Sequence, residues 1–206
     1  MKKVGILGGT FDPIHNGHLV IAEEVRKRLG LAEILFIPTG RPWQKADRPI
    51  APADQRVDMV ELAIAGRTGL KQCRIEVERP GVTYSVDTLT HLKQEYGGRT
   101  NLYFILGWDA LLGAPSWKDP AKIINLCYLV TVPRPGIAPP DPAALERTIP
   151  GITGRLIMLD VPEIDISSSD IRQRVAEGLP FEYLVPAPVA EYIKQHQLYM
   201  EEMTRH

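Results

Sequence analysis

Apolar runs and amphipathic stretches alternate along the chain. The runs Lys3–Leu7, Glu33–Pro38, Cys73–Val77, Leu102–Leu106, Tyr128–Val132 and Leu156–Leu159 are mostly near-continuous in Val, Ile, Leu and Phe. That is the pattern of parallel strands covered on both faces, where neither direction of side chain meets water. Between them, His18–Leu29, Ala53–Ala65, Val86–Tyr96, Ala121–Asn125 and Ser169–Glu177 space their apolar residues as helices do. The order strand, helix, strand, helix predicts an α/β fold: a doubly wound, mostly parallel sheet flanked by helices.

Helix ends sharpen this reading. Asn16 is a candidate cap for the first helix, Arg26-Lys27-Arg28 suit the negative end of its dipole, and Gly30 follows as a stop. Val189–His196 reads as a short terminal helix entered through Pro186-Ala187-Pro188. The proline-rich stretches Pro38–Pro52 and Pro133–Pro142 follow strands and are too short to link domains. The chain therefore reads as one domain over residues 1–206, with a C-terminal helical segment from about residue 167.

Composition narrows the class of partner. With 206 residues, 44% hydrophobic and 24% charged, the chain has an ordinary globular balance. A formal net charge of −1 supplies no global field for nucleic acid or an anionic membrane, so neither is expected as a partner. The first apolar run breaks at Gly8-Gly9 without a cleavage pattern, and no run approaches the roughly 20 residues of a membrane span. Cys73 and Cys127 lie in strand-like segments and read as reduced, buried thiols. The expected location is the cytoplasm; a homo-oligomer remains open.

The segment Gly8-Gly9-Thr10-Phe11-Asp12-Pro13-Ile14-His15-Asn16-Gly17-His18 follows the first strand and opens the first helix. Glycines there permit a sharp turn and close approach of a ligand to the backbone. Free N–H groups and the helix dipole then favour phosphate. His15 and His18, flanking the helix start, can point into one cleft and donate to phosphate oxygens and developing charge. The glycine spacing is not the dinucleotide fingerprint, and no Gly-Lys-Ser/Thr marks a Walker loop. A zinc pair at His15 and His18 lacks an evident third ligand, so no protein-bound metal is expected.

A second segment, Ile166-Ser167-Ser168-Ser169-Asp170-Ile171-Arg172, offers three hydroxyls and a helix N-terminus, with Arg172 one turn inside. Serine caps are ordinary, yet an Arg at that distance can reach back to a triphosphate with charge-assisted bonds.

Together these segments resemble the two signatures of the nucleotidylyltransferases, relatives of class I aminoacyl-tRNA synthetases. Tyr84–Leu89, Phe104–Leu111, Trp117-Lys118, Arg134-Pro135-Gly136 and Tyr183–Pro186 resemble, in order, blocks of the bacterial nicotinate-nucleotide adenylyltransferases. One departure is Pro42-Trp43-Gln44-Lys45, where that family often has Pro-Pro-His-Lys. The resemblance implies a Rossmann-like nucleotidylyltransferase fold and AMP transfer from ATP to nicotinate mononucleotide, with pyrophosphate released and Mg²⁺ on the triphosphate.

It further implies that ATP is held by Gly8, Gly9, Thr10, Phe11, His15, His18, Gly107, Asp109, Arg134, Ile166, Ser167, Ser168 and Arg172. The mononucleotide falls to Lys45, Ser85, Trp117 and Lys118, with main-chain N–H groups near Ser85 and Lys118 selecting acid over amide. His15, His18, Lys45 and Arg172 are the expected catalytic groups. Two rivals carry less: a non-catalytic nucleotide sensor would not need both histidines and Arg172. A synthetase-type ligase would need a Lys-Met-Ser-Lys-Ser loop that this chain lacks.

Overall fold

A computed structural model describes residues 1–42 and 50–200. Its elements in chain order are β1 (Lys2–Gly9), α1 (Asn16–Leu29), β2 (Glu33–Pro38), β3 (Arg41–Pro42), α2 (Ala53–Ile64), β4 (Leu70–Gln72), α3 (Ile75–Glu78) and β5 (Val82–Thr83). There follow α4 (Ser85–Tyr96), β6 (Thr100–Gly107), α5 (Trp108–Leu112), α6 (Pro120–Leu126), β7 (Cys127–Val132), α7 (Pro142–Thr148), β8 (Leu156–Met158), α8 (Ser168–Ala176) and α9 (Ala187–Gln195). Six strands form a sheet in the order β4-β2-β1-β6-β7-β8, and every pairing in it is parallel.

Both faces of the sheet are covered, as the continuous apolar runs require. Every residue of β2 is buried, with Phe36 facing one apolar cluster and Leu35 the other. The first cluster joins the sheet to α1, α2, α8 and α9 through residues such as Leu19, Met59, Ile171 and Ile193. The second joins it to α4 and α6 through Leu89, Leu92 and Ile123. Phe36 is 0% exposed, and cutting such a side chain to Ala costs about 3–5 kcal/mol.

Several expectations change. Cys73–Val77 is not a strand: β4 occupies 70–72, its ladder with β2 ends at Phe36↔Gln72, and Ile75–Glu78 coils into a helical turn. The coil turns Glu76 inward, where it accepts a bond from Thr88 Oγ1 at 2.9 Å, which a continued strand would not provide. Cys73 therefore lies just beyond a strand and is half-buried, whereas Cys127 opens β7 and is buried; both are free thiols. The cap of α1 is His15, not Asn16, whose amide instead donates to the Tyr183 carbonyl at 3.0 Å. Helix α7, capped by Asp141 through Ala143 N–H, has no counterpart in the hydrophobic pattern.

The strand order reverses between β1 and β6. In a doubly wound sheet the loops leave in opposite directions there, opening a crevice at the carboxyl ends of the strands. Those ends are Gly9 and Gly107.

Candidate active site

An open cleft of about 520 Å³ sits at this switch point. Its floor is the end of β1. Gly8 and Gly9 are the last residues of that strand and pair with Ile37 and Pro38, so they are extended rather than turned. The turn expected of the glycines is made instead by Phe11, at φ 50°. What the glycines contribute is room: a Cβ on Gly8 would meet nothing closer than the Phe104 ring at 3.8 Å.

The chain then enters α1 with His15 extended at φ −143°, and its N–H donates to His18 Nδ1 at 3.3 Å. In return His18 N–H donates to the His15 carbonyl at 3.0 Å. The two imidazoles stack with centroids 3.7 Å apart, and Phe11 meets the His18 ring edge-on at 5.0 Å. Because Nδ1 of His18 accepts, a neutral His18 carries its proton on Nε2. Burial, and secondarily the charge of Arg134, lower the His15 pKa to about 3, so His15 is uncharged at neutral pH.

The start of α8 lines the same cleft and is bonded to the loop that leads into the histidines. Each of its three hydroxyls has a partner within the protein, but only Ser168 spends its O–H. Ser167 Oγ accepts from Asp170 N–H at 3.0 Å as the helix cap, and Ser168 Oγ donates to the Pro13 carbonyl at 2.9 Å. Ser169 Oγ accepts from Arg172 Nη2 at 3.3 Å. Physically, a helix start must satisfy its own donors first. Ser167 still has its O–H to give.

Arg172 is 11% exposed in its side chain and donates from Nη1 to the Asp12 carbonyl at 2.7 Å, while its buried Nε has no partner. At the mouth, Arg134 Nε meets Asp109 Oδ1 at 3.3 Å. Both are well exposed, so this pair is worth at most about 1 kcal/mol and is readily rearranged. The pair folds against Gly107, where a Cβ would collide with both side chains.

The far side of the cleft is lined by Ser85 and Trp117. Trp117 is half-buried: its ring packs on Phe104 at 6.3 Å, not in a fully exposed loop. Lys118 spends its ammonium on Asp87 at 3.1 Å and on the Tyr84 ring at 4.4 Å. Both partners of that ion pair are exposed, so it is as readily rearranged as the pair of Arg134 and Asp109. Gly8, Gly9, Thr10, Phe11, Gly107, Ile166, Ser167 and Ser168 do line the same cleft as His15, His18, Asp109, Arg134 and Arg172. Lys45, with Trp43 and Gln44, lies outside the described residues.

Three residues escaped the reading of the sequence. Arg56, 2% exposed, donates to the carbonyls of Ala51, Thr10 and Gly40 at 2.9, 2.7 and 3.2 Å, tying three segments around the cleft. Its signal was an arginine at helical spacing with Val60 and Ala63 on the apolar face of α2. Asp12, 4% exposed, accepts from Ala51 N–H at 3.2 Å and Tyr199 O–H at 2.9 Å. Glu76 lines the cleft, and burial raises its pKa. No spacing marked it.

Among the described residues, no group of three or more His, Cys, Asp or Glu side chains is placed to hold a metal ion. No described helix is long and apolar enough to cross a membrane.

The family model described as cytidylyltransferase-like matches residues 6–174. A protein of Dehalococcoides mccartyi that carries the name probable nicotinate-nucleotide adenylyltransferase is 55% identical over 197 residues, covering 96% of this chain and 97% of its own. A protein of Salinispora arenicola with the same name is 45% identical, covering 95% and 100%. Among solved structures, the Plasmodium falciparum nicotinic acid mononucleotide adenylyltransferase complexed with NaAD superposes with a TM-score of 0.78 at 20% identity, covering 97% of this chain and 98% of that one.

Proposed function

Because this chain belongs to the cytidylyltransferase-like family and, within it, to the nicotinate-nucleotide adenylyltransferases, we propose that it transfers AMP from ATP to nicotinate mononucleotide. The observation that carries this reading is that stacked His15 and His18 share one glycine-floored cleft at the switch point with Arg172, which is bonded to the loop that leads into the histidines.

The reaction is a single in-line displacement. A phosphate oxygen of the mononucleotide attacks the α-phosphorus of ATP, and the bond from that phosphorus to the bridging oxygen breaks. Pyrophosphate leaves with the electron pair, and deamido-NAD is the other product. The attacking phosphate is already ionised at neutral pH, so no protein base is needed. Catalysis then rests on positioning and on stabilising the charge that develops.

Each group has a distinct task. His18 donates from Nε2 to an oxygen on the reacting phosphorus, and uncharged His15 holds that ring in place by stacking. Arg172, which lines the cleft, takes the triphosphate. Asp109 and Arg134 open from one another to take the adenosine portion. Trp117 stacks on the pyridine ring, and main-chain donors near Ser85 and Lys118 receive its carboxylate. Lys45 is assigned to the mononucleotide and to the charge that develops in the transfer.

Mg²⁺ arrives on ATP as part of the substrate and spreads the charge of the leaving pyrophosphate. Pyrophosphate release, measured with ATP and either nicotinate or nicotinamide mononucleotide, tests the proposal. Release with neither substrate would overturn it.

A further inference from the structure

The last turn of the described chain reaches back under the cleft. After α9, the backbone passes through two left-handed residues, Gln197 at φ 52° and Tyr199 at φ 67°. Such a conformation is uncommon for a residue as bulky as tyrosine and persists where surrounding contacts hold it. Leu198 N–H closes the turn onto the Ile193 carbonyl at 3.0 Å. The contact that the turn makes possible is Tyr199 O–H to Asp12 Oδ1, at 2.9 Å.

Asp12 is where the parts of the ATP side meet. Its Oδ1 also accepts from Ala51 N–H at 3.2 Å. Its Oδ2 lies 3.8 Å from Arg172 Nη1, and its carbonyl takes the 2.7 Å bond from the same nitrogen. Phe11 on one side packs on His18, and Pro13 on the other receives Ser168. A carboxylate 4% exposed needs its lone pairs filled. Without the tyrosine hydroxyl, Oδ1 would keep only the Ala51 N–H, and the carboxylate would be free to turn toward Arg172, whose Nη1 already lies 3.8 Å from Oδ2.

We infer that Tyr199 is a positioning residue for the ATP half of the site: its hydroxyl orients Asp12, and Asp12 in turn aims Arg172 at the triphosphate. The inference rests on the assignment of Arg172 to ATP made above. It gives the C-terminal turn a task that its distance from the cleft motifs in sequence conceals.

Tyr199→Phe removes one oxygen and keeps the ring. The expected result is a KM for ATP raised about tenfold, the scale of one lost hydrogen bond to a charged group. The KM for the mononucleotide and the melting temperature should stay near native. Tyr192→Phe is the control: its hydroxyl donates to Asp58 at 2.8 Å and docks α9 on α2 away from Asp12. Its KM for ATP should be native.

The double variant Y199F/R172K should bind ATP no worse than R172K alone, because both changes act on one arm. A native KM for ATP in Y199F overturns the inference, as does an equal rise in Y192F, which would make the effect one of helix docking. R172K with a native KM for ATP overturns instead the assignment of Arg172. Additive losses in the double variant would show that Tyr199 acts by a route other than Arg172, and so overturn the inference as stated.

Discussion

His15 and His18 stack face to face with ring centroids 3.7 Å apart, and the main-chain N–H of His15 donates to Nδ1 of His18. The contact divides labour between two residues of the same type. His15 is buried and uncharged, a surface against which the second ring is held. His18, with Nδ1 taken by that bond, is left with Nε2 as the nitrogen assigned to the reacting phosphate. A mobile imidazole would lose part of its value as a donor, because a group that must reorganise during reaction stabilises the transition state less.

Replacing His18 with Ala should therefore lower kcat by two to three decades, about 2–4 kcal/mol, with the KM for ATP changed little. Steady-state kinetics of the variant at saturating mononucleotide decides this. Near-native turnover would make His18 a structural residue.

His15 should leave a mark on stability against pH. Its pKa is lowered to about 3 in the folded protein from an ordinary 6.5. Between those values the unfolded chain binds the extra proton and the folded one does not, so stability rises with pH across that window. From about pH 6.5 downward, the native protein should lose up to about 1.4 kcal/mol per pH unit through this residue. His15→Gln should flatten that slope while leaving stability above pH 7.5 governed by other groups. Urea unfolding at several pH values compares the two proteins, and parallel slopes would refute the assignment.

Two glycines near the cleft should respond in opposite ways to Ala. A Cβ on Gly40 would strike the main-chain carbonyl of Glu76, which cannot swing aside, so Gly40→Ala should cost about 1–3 kcal/mol of stability. On Gly8 the nearest atom would be 3.8 Å away, so Gly8→Ala should fold normally. Its methyl would occupy the floor of the cleft and raise the KM for ATP. Thermal melts and kinetics of both variants give the contrast.

Preference for the acid mononucleotide should be at least about tenfold in kcat/KM over the amide. Donors aimed at a carboxylate lose a charge-assisted bond to the amide and face its NH₂, a penalty of about 1.5–3 kcal/mol. Trp117→Ala should weaken both substrates by a similar factor, because stacking reads the ring and not its substituent. Equal use of the two by the native protein would remove the carboxylate argument and leave adenylyl transfer untouched.

The alternation of apolar runs with helical spacing was enough to place a parallel sheet between helices. Burial on both faces leaves few polar positions within the central strands, and that is visible in one dimension. The glycine and histidine segment was legible for the same reason: a strand end, a ligand-accessible backbone and a helix start are adjacent in sequence. So was the helix start before Arg172.

Tertiary structure alone decided what happens when residues far apart compete for the same donor or acceptor. Cys73–Val77 has strand-like alternation, yet the ladder with β2 stops at Gln72, and Glu76 finds Thr88 only by coiling. The hydroxyl of Ser168 looked available for an anion until the Pro13 carbonyl took its proton, while Ser167 and Ser169 became acceptors for Asp170 and Arg172. Arg56 became a strut, not a surface charge, because three carbonyls from separate loops converge on it. Tyr199 meets Asp12 across 187 residues of chain. Local propensity and periodicity report which backbone a segment prefers. They carry no record of which distant lone pair will be left unsatisfied when the chain closes, and in this cleft that settles where each side chain points.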